Sequence, residues 1–344
     1  MKLIRTKDAE GHVLCHDITQ IIPGKYKGAR FKKGHVVRAE DIPLLLSIGK
    51  ENLYVWENDP GKLHENEAAN ILYDLCAGEN IKPTEVREGK IEGIALADGI
   101  LKINTKLLEK INSLGEMMIA ARYHNLPVRK GEKLFGTRVI PLVIDKSRME
   151  EAKKICGDEK IISLLPYKKK RAGIVTTGSE IFKGLIRDAS FPVLKGKLEE
   201  YGGEISGQII TDDDSKNTEE AIMRHIREGA DLVLCSGGMS VDPDDRTPLA
   251  IRNTGAEVIS YGAPVLPGAM FMLAYYHQKK RSVPIVGLPG CVMYAKRTIF
   301  DLVLPRLVSD DPVSAKELAR LGKGGLCLSC DPCHYPNCQF GKGW

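Results

Sequence analysis

The sequence predicts an α/β fold: a mostly parallel sheet with helices on both faces over residues 171–310, preceded by smaller β-rich and mixed regions. Three observations lead there. From Arg171 onward, short apolar runs alternate with segments of helix length, the pattern of βαβ units. Four of the apolar runs end in turns rich in glycine, hydroxyl and carboxylate groups, and an open parallel sheet binds ligands at the carboxyl ends of its strands. Before Arg171 the apolar pieces are shorter and separated by glycine and proline.

The elements follow in chain order. Residues 1–60 read as a small β-rich domain, with strand-like pieces at Val13-Leu14, Phe31, Val36-Val37 and Leu53-Tyr54-Val55. Between them Asp41 to Ser47 reads as a helix capped by Glu40 or Asp41 and ended at Gly49. Residues 61–170 read as a mixed α+β region. It opens with a helix carrying Ala68, Ala69, Ile71, Leu72, Leu75 and Cys76, which ends at Gly78. Residues 88–93 read as a turn, Leu107 to Leu114 as a helix and Met117 to Ala121 as a strand. Residues 128–143 read as paired strands around Lys130-Gly131 and Gly136, and Met149 to Cys156 as a helix.

In the α/β region the expected order is a strand at 172–176, a helix from Pro192 to Tyr201 and a strand from Glu204 to Ile210. A helix from Thr218 to Glu228 follows, with Thr218 as its N-cap and Gly229 as its stop. Then come a strand at 231–235, a helix near Thr247 to Arg252, strands at 257–261 and 283–287, and a helix from Met293 to Val303. Residues 311–344 are a tail in which Ser314 to Leu321 makes one helix, broken by Gly322, Gly324 and Gly325.

Composition excludes several classes. The 344 residues suffice for two or more domains, each with its own core. A hydrophobic fraction of 43% and a charged fraction of 28% are those of a soluble globular protein. The net charge of +5 is too mild to argue for nucleic acid, and Lys168-Lys169-Lys170-Arg171 reads as a solvated linker. No stretch approaches the ~18 apolar residues of a membrane span and no signal peptide opens the chain, so a cytoplasmic protein without membrane or nucleic-acid partners is expected.

The turns carry the candidate chemistry. Ser236-Gly237-Gly238-Met239-Ser240 lets a ligand approach the backbone, and N–H groups turned outward there bind anions. Asp242, Asp244 and Asp245 follow, and carboxylates beside an anion-binding turn suit a magnesium–phosphate site. Asp245 also suits a cap for the helix at Thr247. Asp212-Asp213-Asp214 fits either a loop favourable to a helix dipole or a second metal or base position. Thr177-Gly178-Ser179-Glu180 offers hydroxyls and a carboxylate, and Leu288-Pro289-Gly290 precedes a helix N-terminus that suits an anion. Walker-type and Gly-x-Gly-x-x-Gly nucleotide fingerprints are absent.

The order of these pieces resembles a known family. Thr177-Gly178-Ser179-Glu180, Ile186-Arg187-Asp188, Asp212-Asp213, Ser236-Gly237-Gly238-Met239-Ser240, Pro267-Gly268 and Gly287-Leu288-Pro289-Gly290 are similar to the motifs of the molybdopterin-binding domain of molybdenum-cofactor biosynthesis. Gly11-His12-Val13-Leu14 and Pro127 to Glu132 resemble, more loosely, the front half of molybdopterin molybdotransferases. The resemblance implies that Ser236, Gly237 and Gly238 cradle a pterin phosphate. It implies that Asp212 or Asp213, with Asp245, act in metal binding or proton transfer, with Asp242 as a further magnesium ligand. Thr177 to Glu180, Asp188, Met239, Ser240, Pro267, Gly268, Pro289 and Gly290 are implied to line the same pocket.

The implied reaction is adenylyl- or molybdo-transfer onto molybdopterin with Mg²⁺. ATP or AMP and molybdate are then co-substrates, a molybdoenzyme is a downstream partner, and the protein is a dimeric or trimeric homo-oligomer. Two departures are Leu266 before Pro267 and Ala269 after Gly268, where basic residues are common in the family. They favour the alternative of a non-catalytic cofactor carrier or sensor. Asp242-Pro243-Asp244-Asp245-Arg246-Thr247 looks more like the adenylyltransferase and competence-damage branches, the latter implying a nucleotide pyrophosphatase.

Nine cysteines divide into two groups. Cys15, Cys76, Cys156, Cys235 and Cys291 are scattered and read as small buried hydrophobes. Cys327, Cys330, Cys333 and Cys338 have ligand spacing and predict a metal-binding tail, holding either zinc or an iron–sulfur cluster. The tail has few apolar residues and is expected to need that centre in order to fold.

Overall fold

A computed structural model describes residues 2–55 and 59–343; residues 56–58 of the first expected region and residue 344 of the tail lie outside the described residues. The chain divides into two compact units. One comprises Met1–Leu96, Ile103–Arg122 and Gly131–Ser163, the other Ala97–Lys102, Tyr123–Lys130 and Leu164–Trp344. Among the described residues no helix is long and apolar enough to cross a membrane.

Among the described residues the first unit is built on short strands and four α-helices. Its N-terminal part pairs Lys2–Arg5 with Asn52–Val55 and Ile18–Ile22 with Tyr26–Phe31, around Leu14, Ile18, Leu45 and Leu53. Val13, Leu14 and Val36, expected as strand pieces, make isolated bridges instead. The helix Asp41–Ser47 forms as expected, but neither acid caps it from the N-cap position. Glu40 makes no capping bond, and the Asp41 carboxylate turns back to accept from the Arg38 N–H and bind His35.

An antiparallel sheet follows in the order Ile81–Pro83, Lys90–Ala95, Lys133–Val139, Met117–Ala121. The helix Glu65–Cys76 packs on this sheet through Tyr73, whose ring lies 5.9 Å from that of Phe135. Two sequence readings change here. Only Glu88-Gly89 turns, with positive φ at both, while Lys90–Ala95 is a full strand. The strands expected to pair with each other around Lys130-Gly131 separate: Leu126–Val128 pairs with Gly99–Ile103, and Lys133–Val139 with the four-stranded sheet, where Gly136 sits mid-strand.

The second unit contains a six-stranded sheet. Its elements are β1 (Arg171–Thr177), α1 (Ser190–Glu199), β2 (Glu204–Thr211), α2 (Ser215–Arg227), β3 (Leu232–Ser236), α3 (Thr247–Asn253), β4 (Glu257–Tyr261), β5 (Met272–Gln278), β6 (Arg281–Leu288), α4 (Ile299–Val308) and α5 (Ala315–Arg320). The strand order is β2-β1-β3-β6-β5-β4, and β5 alone runs against the others.

Side chains alternate between the two faces along each central strand, as a twofold pleat requires. Ile174, Leu232, Leu234, Val286 and Leu288 pack with α1 and α4, whereas Val175, Val233, Cys235 and Ile285 pack with α2 and α3. The apolar runs are continuous because both faces are covered. Gly173 interrupts β1 for a steric reason: a Cβ there would sit 2.3 Å from Cγ of the buried His225 on α2.

Three expectations fail in this unit. Thr218 does not cap α2. The helix starts one turn earlier behind Asp214, whose carboxylate accepts from the Lys216 N–H at 2.8 Å, and Thr218 is buried with its hydroxyl 3.1 Å from that of Thr211. The helix expected from Met293 is a 3₁₀ turn at Gly290–Met293, and α4 begins only at Ile299, where Thr298 and Asp301 form a capping box. The antiparallel strand β5 has no counterpart in the sequence reading. Its run, Met272 to Tyr275, is buried on both faces and carries no periodic signal.

The tail is part of this unit's core. Val313, Leu318, Leu321 and Phe340 are buried among the α4 side chains, so its apolar residues, though few, are used fully. The helix expected from Ser314 to Leu321 forms as α5, with Ser314 as its N-cap in a capping box with Glu317.

One buried ion pair ties these layers. Lys197 on α1 places its Nζ 2.7 and 2.8 Å from the two carboxylate oxygens of Asp301 on α4. Asp301 is 1% exposed and Lys197 9%. Arg297 adds a bond of 3.0 Å to Asp301 and two to Glu200, and the Tyr335 hydroxyl of the tail donates to the Asp301 carbonyl oxygen at 2.8 Å. Removing one member of a buried pair leaves an uncompensated charge, which costs about 3–5 kcal/mol. Asp301→Asn is therefore expected to lower stability to urea by that amount, and Lys197→Met placed on top of it should recover part of the loss. An additive double mutant would contradict the pairing.

Candidate functional site

Parallel pairing places the carboxyl ends of four strands side by side. Thr211 of β2 is opposite Thr177 of β1, Ser236 of β3 is opposite Thr176 of β1, and Leu288 of β6 is opposite Ser236. The turns beginning at Thr177, Thr211, Ser236 and Leu288 therefore share one edge of the sheet. Tyr261 at the end of β4 is opposite Met272, which is opposite Gly287, so the loop 262–271 with Pro267-Gly268 lies at the same end.

The turn after β3 is shaped by contacts that only glycine permits. Gly237 has φ +92° and Gly238 φ +57°, and a Cβ on Gly237 would lie 2.2 Å from the Thr177 carbonyl oxygen. One on Gly238 would lie 2.7 Å from Oγ1 of Thr247. Thr247 clamps the turn from the other side, its hydroxyl donating to the Gly237 carbonyl at 2.8 Å and its N–H to that of Gly238 at 3.1 Å. The carbonyls are thus turned inward and paired. Among the described residues none accepts from the N–H groups of Gly237, Gly238, Met239 or Ser240. A run of unpaired N–H groups in a turn of this kind is an anion-binding concavity. Met239 contributes its backbone here, not its side chain, which is buried in the core against Gly287. Ser240 is exposed.

The acidic turns are braced locally. The Asp213 carboxylate accepts from the Ser179 N–H at 3.0 Å and so links the Thr177–Glu180 turn to the turn after β2. Asp212 accepts from Asn217 Nδ2 at 2.9 Å and from the Asp214 N–H at 3.2 Å, and Asp214 caps α2. Asp245 does not cap α3. Its carboxylate accepts from the Asp242 N–H at 3.3 Å, folding the 242–245 loop on itself, and Asp242 and Asp244 are exposed. Glu180 is also exposed, at the head of the short helix Ser179–Phe182.

The remaining residues serve the frame of the same edge. Asp188 accepts from the Ser190 N–H and hydroxyl, both at 2.7 Å, from Thr176 Oγ1 at 3.0 Å and from Gln208 Nε2 at 2.6 Å. Pro267 presents its carbonyl to the first N–H of α4 at 3.2 Å, and Gly268, at φ +130°, lies so close that a Cβ would be 2.4 Å from Ile299. Pro289 is buried and Gly290 exposed, opening the 3₁₀ turn.

Among the described residues no three His, Cys, Asp or Glu side chains converge on a point that suits a metal ion. The tail cysteines thus do not form the tetrahedral set a single zinc ion requires. They are all free thiols and all line one cavity of about 270 Å³. Asp242 and Asp245 lie on one loop, and among the described residues no third such side chain gathers with them.

Sequence reasoning missed Thr247 and Gln208 as parts of the candidate site's frame. Thr247 stands nine residues beyond Gly238 and Gln208 thirty-two beyond Thr176, distances at which no local pattern signals contact.

A pH dependence follows from Asp188. Burial pushes its carboxyl up, but the hydrogen bonds from Ser190, Thr176 and Gln208 outweigh burial and hold it below the usual range. A depressed carboxylate contributes stability that is complete above the unfolded value of about 3.9 and is lost as pH falls through the folded value. Asp188→Asn should lower the melting temperature at pH 7 and flatten its fall on the acid side. An acid limb as steep as that of the parent chain would contradict the assignment.

Comparison with known proteins matches two segments. Residues 173–309 match the family described as "Probable molybdopterin binding domain", and residues 3–57 match a domain of unknown function. A CinA-like protein of Mycobacterium sp. (strain MCS) is 36% identical over 90 residues, which are 26% of this chain and 21% of the relative. One from Mycobacterium avium (strain 104) is 34% identical over the same length and shares. The chain thus spans about a fifth of the length of the curated relatives it matches. A tungsten cofactor synthesizing protein, MoaB, from Pyrococcus furiosus aligns at 21% identity over 42% of this chain and 89% of that one, with a TM-score of 0.32. The match that covers all four strand-end turns is the first, and the α/β region at residues 173–309 is a member of the molybdopterin-binding domain family.

Proposed function

We propose that this protein binds molybdopterin at the carboxyl edge of the six-stranded sheet and transfers an adenylyl group or molybdate to it with the help of Mg²⁺. The observation that carries the reading is the turn at Gly237–Ser240, whose backbone N–H groups have no acceptor among the described residues and face the edge where the other turns gather. A pterin phosphate supplies the matching acceptor oxygens. Thr247 pairs the Gly237 and Gly238 carbonyls away from that anion, with its hydroxyl 3.2 Å from that of Thr177. Asp242 and Asp245 are the residues that would hold magnesium, whose charge offsets that of the phosphates. Asp213 positions the Ser179 turn at the neighbouring strand end. Molybdate, ATP or AMP, a receiving molybdoenzyme, a cytoplasmic location and a dimeric or trimeric assembly belong to the same proposal.

A second reading, hydrolysis of a nucleotide pyrophosphate, is favoured by the likeness to CinA-like proteins and by the Asp242-Pro243-Asp244-Asp245 segment. Incubation with ATP, magnesium and molybdopterin separates the possibilities. An adenylylated pterin supports transfer, tight binding without turnover supports a carrier, and cleavage of a free dinucleotide without pterin supports the second reading.

Two variants test the assigned roles. Gly237→Ala should weaken molybdopterin binding by at least about tenfold, equivalent to ~1.4 kcal/mol, with circular dichroism unchanged, because the turn must shift off Thr177. Unaltered affinity would remove the turn from the site. Asp245→Asn should lower magnesium-dependent turnover more than pterin affinity, since a metal ligand acts on charge that develops in the transition state. Equal losses in both would contradict that role.

A further inference from the structure

The strongest unassigned feature is the cavity beside α4. Four cysteines of one short segment, Cys327, Cys330, Cys333 and Cys338, line it together with Lys296 and Arg297, and its volume is about 270 Å³. None of the four is in a disulfide. The segment that carries them has no helix or strand from Cys327 to Lys342. Among the described residues none accepts from the N–H groups of Leu328, Ser329, Cys330, Asp331, Cys333, His334 or Tyr335.

This loop is nonetheless held at both ends and in the middle. Cys327 donates its N–H to the Leu266 carbonyl at 2.8 Å, Phe340 is buried in the core, and Tyr335 is tied to Asp301 with the Arg297 guanidinium 4.8 Å from its ring centroid. Lys296 forms an ion pair with Asp331 at 2.7 Å.

The spacing allows two kinds of centre. A single zinc ion draws four thiolates to about 2.3 Å from one point, and no such convergence occurs among the described residues. An iron–sulfur cubane is a body with four corners. Each iron takes one thiolate, so the four sulfurs ring a space and do not meet. Free backbone N–H groups around that space are the donors that cluster sulfides accept from. We propose that Cys327, Cys330, Cys333 and Cys338 hold one [4Fe–4S] cluster in this cavity. The cavity adjoins the loop 294–297, which runs from the Pro289-Gly290 turn to α4. This inference does not rest on the molybdopterin reading, and its test uses no pterin.

The full chain, purified without oxygen and treated with ferrous iron and sulfide, should turn brown and bind about four irons and four sulfides per chain. Cys333→Ala, at an exposed position, should lose that iron, whereas Cys291→Ala, which lies outside the cavity lining, should retain it. Loaded protein should resist alkylation at the four tail thiols until a chelator strips the iron. One zinc per chain without sulfide, two irons or fewer, or four tail thiols that alkylate freely after reconstitution would each overturn the proposal.

Discussion

The Lys197–Asp301 ion pair is the buried contact that ties α1 to α4 in the second unit. It joins a helix that follows β1 to the helix that follows β6, and it sits where the loop leaving the Pro289-Gly290 turn enters α4. Asp301 has a second duty in the same place, accepting from Thr298 to cap α4. Because its carboxylate is saturated by Lys197, Arg297 and the Thr298 N–H, the pair meets the condition under which a buried charge is tolerated. Through Tyr335 the same residue fixes the cysteine-rich tail.

The strand-end turns show how a binding edge is made from backbone. Gly237 and Gly238 are not loose hinges. Their missing side chains let Thr177 and Thr247 come close on the turn's inner side, where Thr247 pairs the Gly237 and Gly238 carbonyls. The neighbouring acids are used mostly to brace one turn to another, as Asp213 does for Ser179 and Asp188 does between β1, β2 and α1. Such bracing limits movement at the edge, and a site whose donors are already oriented loses less entropy on binding.

How far the primary structure was legible varies with the range of the interaction. The alternation of strands and helices after Arg171, the helix Asp41–Ser47, the strand Met117–Ala121 and the helix after Ser314 all rest on local periodicity or on contacts within one turn. The first turn of α2 was misread because Thr218 and Asp214 are both good caps, and the choice went to Asp214 when Thr218 found a buried partner in Thr211. Strand β5 was invisible because a segment buried on both faces loses the alternation that marks a strand. In the site, the glycine turn was legible from its residue types, but Thr247 and Gln208 were not, because their roles exist only after distant strands pair.

Residue type and local spacing alone determined the α/β class, the four polar turns and the existence of a four-cysteine cluster motif. These depend on propensities and on separations of a few residues, which the chain carries wherever it folds. Tertiary structure decided which turns are neighbours, which acids are spent on bracing and that the four tail thiols line one cavity. Those outcomes depend on pairing between strands far apart in sequence and on how a tail packs against α4, and no local pattern encodes either.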